Sequence, residues 1–320
     1  MAPRVGDPSG LDGLVISAMK KITHTWETLS SGLVVPVGTI TDISDHVKTT
    51  FLAIKTKAEE VETLYANSRV ELPRGCDLSN LIENAKLYWE NWFTVQPDRL
   101  DMAMLFRTLH FDRIATNILL LKEIEGKEKY LRAFASGSLD FFKREKSPAK
   151  NLLWEIEVWA PLRRKFRSVN LEEPPDIVIH FDDAKIGIAC KKLYSEKHVQ
   201  NVLSQAVSQI ADSFDFGIVA INIDDLHPPD KLVRASDRTG MNKFIQNLNE
   251  QFIKRHARHF RKYLSSGRLI SAMVSTNVIV DVETERPRYN NASQWTIWTI
   301  PGLSAEKDSQ LRRFAEIVTR

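Results

Sequence analysis

Apolar residues recur three and four positions apart at Ile43, Val47, Phe51, Ile54, Ala58, Val61 and Leu64, the stripe of an amphipathic helix that starts after Asp42. A second stripe, Leu78, Leu81, Ile82, Ala85, Trp89 and Trp92, stops near Pro97, and Leu100, Met104, Leu105 and Leu109 open a third that runs toward Leu121. Residues from about 12 to 145 therefore read as mainly helical. The period changes after Pro148. A helix rich in Leu, Trp and Arg leads into Pro174-Pro175, and short β-rich runs follow: Asp176 to Phe181, Lys185 to Lys192, Phe216 to Asp224, Leu269 to Val280 and Trp295 to Ile300. Asp182-Asp183 suits a hairpin turn, and Ser195 to Ser213 has the length and spacing of a helix capped by Ser195. The expected class is α/β (α+β), with a helical N-terminal domain over 1–146 and an α/β domain over 147–320.

A chain of 320 residues can bury a sizeable core, and 43% hydrophobic with 27% charged residues are ordinary globular values. The formal charge of +3 is too small to define a polyanion partner, so any nucleic-acid argument rests on where the positive charge sits. Cys76 and Cys190 are too few for a disulfide framework and lie in no Cys/His cluster with zinc-ligand spacing. Met1 to Gly10 lacks the apolar segment of a secretory signal, and no apolar run approaches bilayer-spanning length. A soluble, cytoplasmic protein with no membrane partner is expected. No Gly-rich phosphate loop, dinucleotide fingerprint or Ser/His/Asp order stands out, which leaves nucleotide-driven motor work and hydride transfer unsupported.

Candidate chemistry is concentrated between Glu155 and Gln209. An acid-bearing helix is followed by Pro175-Asp176 at the start of a strand, and the next strand ends in Ala189-Cys190-Lys191-Lys192. Side chains alternate along a strand, so Ala189 and Lys191 face one side while Ile186, Ile188 and Cys190 face the other and pack inward. This order of helix acid, strand Asp and next-strand Lys resembles the PD-(D/E)xK superfamily of restriction-endonuclease-like nucleases, with the second acid replaced by Ala189. The resemblance covers roughly residues 150 to 224, and PD and xK are short motifs that gain weight only from their context.

The resemblance implies a mixed sheet flanked by helices and a site for Mg²⁺ or Mn²⁺. Asp176 and the backbone carbonyl of Cys190 would be metal ligands, position 189 the place of the lost ligand, and Lys191 the group that assists water. Of the helix acids Glu155 and Glu157, two apart and unable to face the site together, Glu155 is preferred for its place after an aromatic residue. Gln205 and Gln209 share a helical face that could turn to the cleft, and Lys192 and Lys197 could touch a phosphate backbone. Ala189 leaves three explanations open: an acid relocated to Glu155 or Glu157, a relative kept for binding, or an engineered Glu→Ala.

The segment Lys243 to Arg268 carries Lys243, Lys254, Arg255, Arg258, Arg261, Lys262 and Arg268 with Glu250 as its single acid, a helix that could follow a phosphate backbone. Its bland counterpart is a solvated face with Phe244, Leu248, Phe252, Phe260 and Leu264 turned inward. Arg163, Arg164, Lys165 and Arg167 form a second basic cluster, Trp89 and Trp92 read as core, and Asp224-Asp225 as a cap before Pro228-Pro229. Two functions compete: a metal-dependent nuclease acting on DNA in preference to RNA, in microbial restriction, antiviral defence or DNA processing, and a non-catalytic nucleic-acid-binding or scaffold subunit with the same fold. In the first, the N-terminal helices would recognise substrate, form a homodimer or dock a partner protein; in the second, the basic helices would bind nucleic acid or the chain would serve a larger complex.

Overall fold

The computed structural model describes residues 25–28, 34–37, 40–41, 51–92, 102–181, 184–210, 214–285 and 289–319. The first helical stripe forms α1 (Phe51–Asn67), which buries Ile54, Ala58, Val61 and Leu64. The start expected after Asp42 lies outside the described residues. Helix α2 (Asp77–Trp92) buries Leu78, Leu81, Ile82 and Ala85 and leaves Trp89 half-buried, and α3 (Met102–Leu120) is buried on nearly every side. Such all-round burial marks a helix enclosed by neighbours. The shorter α4 (Glu128–Ser136) follows.

The N-terminal part is not all helix. Strands β1 (Thr25–Thr28) and β2 (Val34–Val37) pair antiparallel, and β3 (Ile40–Thr41) joins the edge of the large sheet. Helix α5 (Pro148–Lys165) begins where Pro148 fills the first helical position and the Ser147 hydroxyl accepts from the Lys150 amide at 3.4 Å.

The second half supplies β4 (Ser168–Leu171), β5 (Ile177–Phe181), β6 (Ala184–Lys192), α6 (Val199–Gln209), β7 (Phe216–Asn222), β8 (Leu232–Ala235), α7 (Arg238–Leu264), β9 (Leu269–Val282), β10 (Tyr289–Trp298) and α8 (Ala305–Thr319). Eight strands form one mixed sheet in the order β3-β10-β9-β7-β6-β5-β4, with β8 alongside the far half of β9. Strands β6, β7 and β9 run parallel, flanked by antiparallel β5 and β10. The protein is thus mixed α/β. Strands β4 and β8 and helix α8 are additions to the elements expected from periodicity, and the 182–183 turn lies outside the described residues.

Both faces of the sheet are covered. Ile186, Ile188 and Cys190 of β6 enter the same apolar core as α1 to α5 and α8, which runs from Ile54 to Val318 without a break at 146/147. Ala189 enters a second core with Val199, Leu203 and Ala206 of α6 and Phe252 and Phe260 of α7. Double burial explains why β7 is buried throughout and carries no polar side chain before Asn222 at its end.

The approach of the 210 region to β7 depends on Gly217. A Cβ there would lie 2.7 and 2.8 Å from Ile210 side-chain carbons and 3.0 Å from the Arg268 carbonyl oxygen. Gly217→Ala is expected to lower stability by about 1–3 kcal/mol, seen as a lower urea midpoint with an unchanged slope. An unchanged midpoint would mean that Ile210 yields at no cost. Among the described residues, no helix is long and apolar enough to cross a membrane.

Candidate active site

Asp176 stands one step before the paired Ile177 and Ile188, so continuation of the β5–β6 register sets it across from Ala189. Its carboxylate is nearly covered, and Oδ2 accepts from the Cys190 backbone amide at 2.5 Å. The Lys191 ammonium lies 3.3 Å from the same Oδ2 and donates to the Cys190 carbonyl oxygen at 2.9 Å. One cation thus bridges the carboxylate and the carbonyl that the sequence pattern singled out. Ion pairing compensates the burial of both charges.

Glu155 joins this group from α5. Burial first, and then the negative Asp176 and Glu173, push its carboxyl up to about 7 against the opposing pull of Lys191. The same surroundings raise the Cys190 thiol, again chiefly through burial. A carboxyl that titrates near neutrality beside a carboxylate and a lysine can exchange a proton under ordinary conditions.

Glu157 faces elsewhere. It receives the Arg113 guanidinium in a two-pronged pair, with Nη2 donating to Oε2 at 2.7 Å, and it is unavailable as the alternative helix acid while so engaged. Lys192 is also turned away from the expected phosphate path: it is buried, with Nζ 2.7 Å from Asp225 Oδ2 and donating to Asn222 Oδ1 at 2.6 Å. Strand alternation explains the split, because consecutive Lys191 and Lys192 must point to opposite faces. Asp224 and Asp225 do not cap a helix; they are the acids of these buried pairs, Asp224 Oδ2 lying 2.7 Å from Arg113 Nη1. Burial alone would raise Asp224, but Arg113 and Lys192 hold it below the usual carboxylate range.

Gln205 is exposed and Gln209 half-buried on α6, and neither touches Asp176 or Lys191 in any polar contact among the described residues. Lys197 is exposed, its amide donating to Ser195 Oγ at 3.4 Å in the short 3-10 turn that precedes α6. This turn meets the basic helix: Glu196 accepts from Arg255 Nη2 at 2.6 Å and lies 2.9 Å from His256 Nε2. Lys254, Arg255, Arg258, Arg261 and Lys262 are exposed along α7, while Phe252, Phe260 and Leu264 are buried and Phe244 and Leu248 half-buried. The solvated basic face and the inward apolar face therefore coexist on one helix, docked by Glu196 just beyond the end of β6.

Sequence reasoning missed a second polar centre. A cavity of about 50 Å³ lies between α3, the 224–231 segment, α7 and β9, lined by His110, Arg113, Asp224, Asp225, His227 and Phe141 among others. His110 Nε2 lies 3.2 Å from the Pro229 carbonyl oxygen, and Nδ1 has no hydrogen-bond partner among the described residues. Burial holds His110 down to about 4 and also lowers His227. No local motif announces this centre, because its members lie up to about 170 residues apart.

The donors available to a metal are Asp176, Glu155 and the Cys190 carbonyl. Mg²⁺ is commonly held by one or two carboxylates together with water and substrate phosphate, and these donors fit that pattern with one acid fewer than the (D/E)xK set. Among the described residues, no group of three or more His, Cys, Asp or Glu is arranged to hold a metal ion. Against protein-family models, curated proteins and solved structures, the chain gives no match.

Proposed function

We propose that the chain is a nuclease of the PD-(D/E)xK type whose Mg²⁺- or Mn²⁺-dependent site is weakened by Ala189, with DNA as the preferred substrate. The observation that carries this reading is the convergence of Asp176 Oδ2 and the Cys190 carbonyl on Lys191 Nζ, with Glu155 beside them. When bound, a divalent ion would polarise a phosphoryl oxygen and offset its developing charge. Asp176 and the Cys190 carbonyl would hold that ion, and Lys191 would orient or deprotonate the attacking water. Glu155 would donate or accept a proton or supply the missing acid. A restriction-endonuclease-like fold belongs to the same proposal, supported by β5, β6 and β7 and by α5 packed on the sheet.

The test is cleavage of plasmid and single-stranded DNA and of RNA, with Mg²⁺ or Mn²⁺, by the chain and by its Asp176→Asn variant. Residual cutting that Asp176→Asn abolishes supports the reading. Cutting indifferent to Asp176→Asn sinks it.

A second reading, a non-catalytic nucleic-acid-binding subunit, is favoured by the enclosure of Ala189 in the α6–α7 core, where it is fully buried. Both readings use the basic face of α7. Replacing Lys254, Arg258 and Lys262 by Gln is expected to make the slope of log affinity against log salt shallower by roughly 2–3 for duplex DNA. An unchanged slope would remove α7 from the binding surface. A setting in microbial defence or DNA processing, and a homodimer or partner docked through the N-terminal helices, remain part of the proposal.

A further inference from the structure

Burying charges is costly, and a well-packed apolar replacement often serves stability as well or better. The density of buried charge behind the candidate active site therefore calls for a reason other than cohesion. Arg113 is almost wholly buried on α3 and is the common partner of Glu157 on α5 and Asp224 after β7. Glu157 lies two residues from Glu155. Asp224 in turn accepts from the Asn277 amide of β9 at 2.7 Å, and its own amide donates to Asn222 Oδ1 at 3.3 Å. The same Asn222 oxygen receives Lys192, the neighbour of Lys191.

Helix α5, which carries Glu155, and the turn after β7 thus meet at one guanidinium, and Asn222 links that turn to Lys192 on β6. The planar fork of Arg113 holds one acid with two nitrogens and a second acid with the third, which an ammonium cannot reproduce. We infer that Arg113 is a positioning residue for the proposed metal site: by joining Glu157 to Asp224 it fixes α5 against the ends of β6 and β7, and so holds Glu155 beside Asp176 and Lys191. The N-terminal helices then help to shape the site from behind, in addition to any role in substrate recognition. This inference rests on the reading of Asp176 and its neighbours as a metal site.

The experiment is Mn²⁺ titration of the full-length chain, followed by electron paramagnetic resonance, alongside thermal unfolding. Four proteins are compared: the unaltered chain, Asp176→Asn, Arg113→Lys, and the combined Arg113→Leu, Glu157→Leu, Asp224→Asn variant, which removes the whole charge set. The combined variant is expected to unfold at a similar or higher temperature, because no buried charge is stranded, yet to bind Mn²⁺ at least about tenfold more weakly. Arg113→Lys is expected to lose affinity in the same direction.

Unchanged affinity in a folded combined variant would overturn the inference and leave Arg113 a structural tie. Mn²⁺ binding that survives Asp176→Asn would overturn the metal site itself, and the positioning role with it. The two failures are told apart by which variant retains the ion.

Discussion

Ala189→Glu is expected to turn the chain into an efficient Mg²⁺-dependent nuclease, with cutting at least about 100-fold faster than the unaltered chain. Asp176, the Cys190 carbonyl and Lys191 already converge with Glu155 beside them, so the substitution adds a third carboxyl-bearing residue, after Asp176 and Glu155, and no backbone element has to be built. The new carboxylate enters a fully buried position among α6 and α7 side chains, with the Lys191 cation on the same strand face. Without metal the variant should therefore be less stable than the unaltered chain, and Mn²⁺ should restore that loss by binding the folded state alone. Adding Lys191→Ala should lower the rate again by about 10²–10⁴-fold, the usual contribution of a positioned proton-transfer group. An Ala189→Glu chain that folds, binds DNA and does not cut in a Mg²⁺ or Mn²⁺ plasmid assay would favour the binding-subunit reading.

Between about pH 4.5 and 6.5 Glu155 should offset much of the acid loss of stability caused by the buried histidines, and Glu155→Gln should expose that loss in full. Two buried groups oppose each other there. His110 is held at about 4 by burial, below its ordinary 6.5, so the unfolded chain takes up a proton first and folding stability falls as pH drops through 6.5 toward 4. Glu155 is raised from 4.5 to about 7, so its favourable contribution is complete below 4.5 and is lost as pH rises through 7. Each effect is on the order of 3 kcal/mol. His227, also lowered by burial, acts in the same direction as His110. Glu155→Gln removes one side of the balance. The variant should gain up to about 3 kcal/mol at neutral and higher pH and should then lose stability steeply below about pH 6.5, as read from urea unfolding at several pH values. Parallel pH profiles for the two proteins would mean that Glu155 is an ordinary solvated acid.

How much of this arrangement was legible in the sequence depended on how local the responsible interactions are. The β5–β6 pair that brings Asp176 to Cys190 and Lys191 spans only 15 residues, and its alternation and order are written in the chain itself. That Glu155 and Glu157 cannot face the site together also follows from local geometry, since residues two apart on a helix diverge, whereas the partner that holds Glu157, Arg113, lies 44 residues away on α3. Lys192 was misjudged because its neighbour Lys191 faces the site, whereas its own partner, Asp225, belongs to a segment after β7. Asp224 looked like a cap because its partner Arg113 lies 111 residues away on another helix. Strand β8 was missed for a similar reason: four residues, Leu232 to Ala235, carry almost no periodic signal, and only β9 provides the pairing that makes them a strand. The short β1 to β3 segments fell below the same threshold within a region dominated by helical spacing.

The central claim is that Asp176, Cys190 and Glu155 surround a place for a divalent ion. Its most direct test is nuclear magnetic resonance of the full-length chain titrated with Mn²⁺ in the presence of a short, non-cleavable DNA analogue. The Cys190 and Lys191 amide signals and the Glu155 side chain should broaden first, and Asp176→Asn should abolish the effect. Broadening confined to other residues, or none at ion concentrations that support metal-dependent nucleases, would contradict the account.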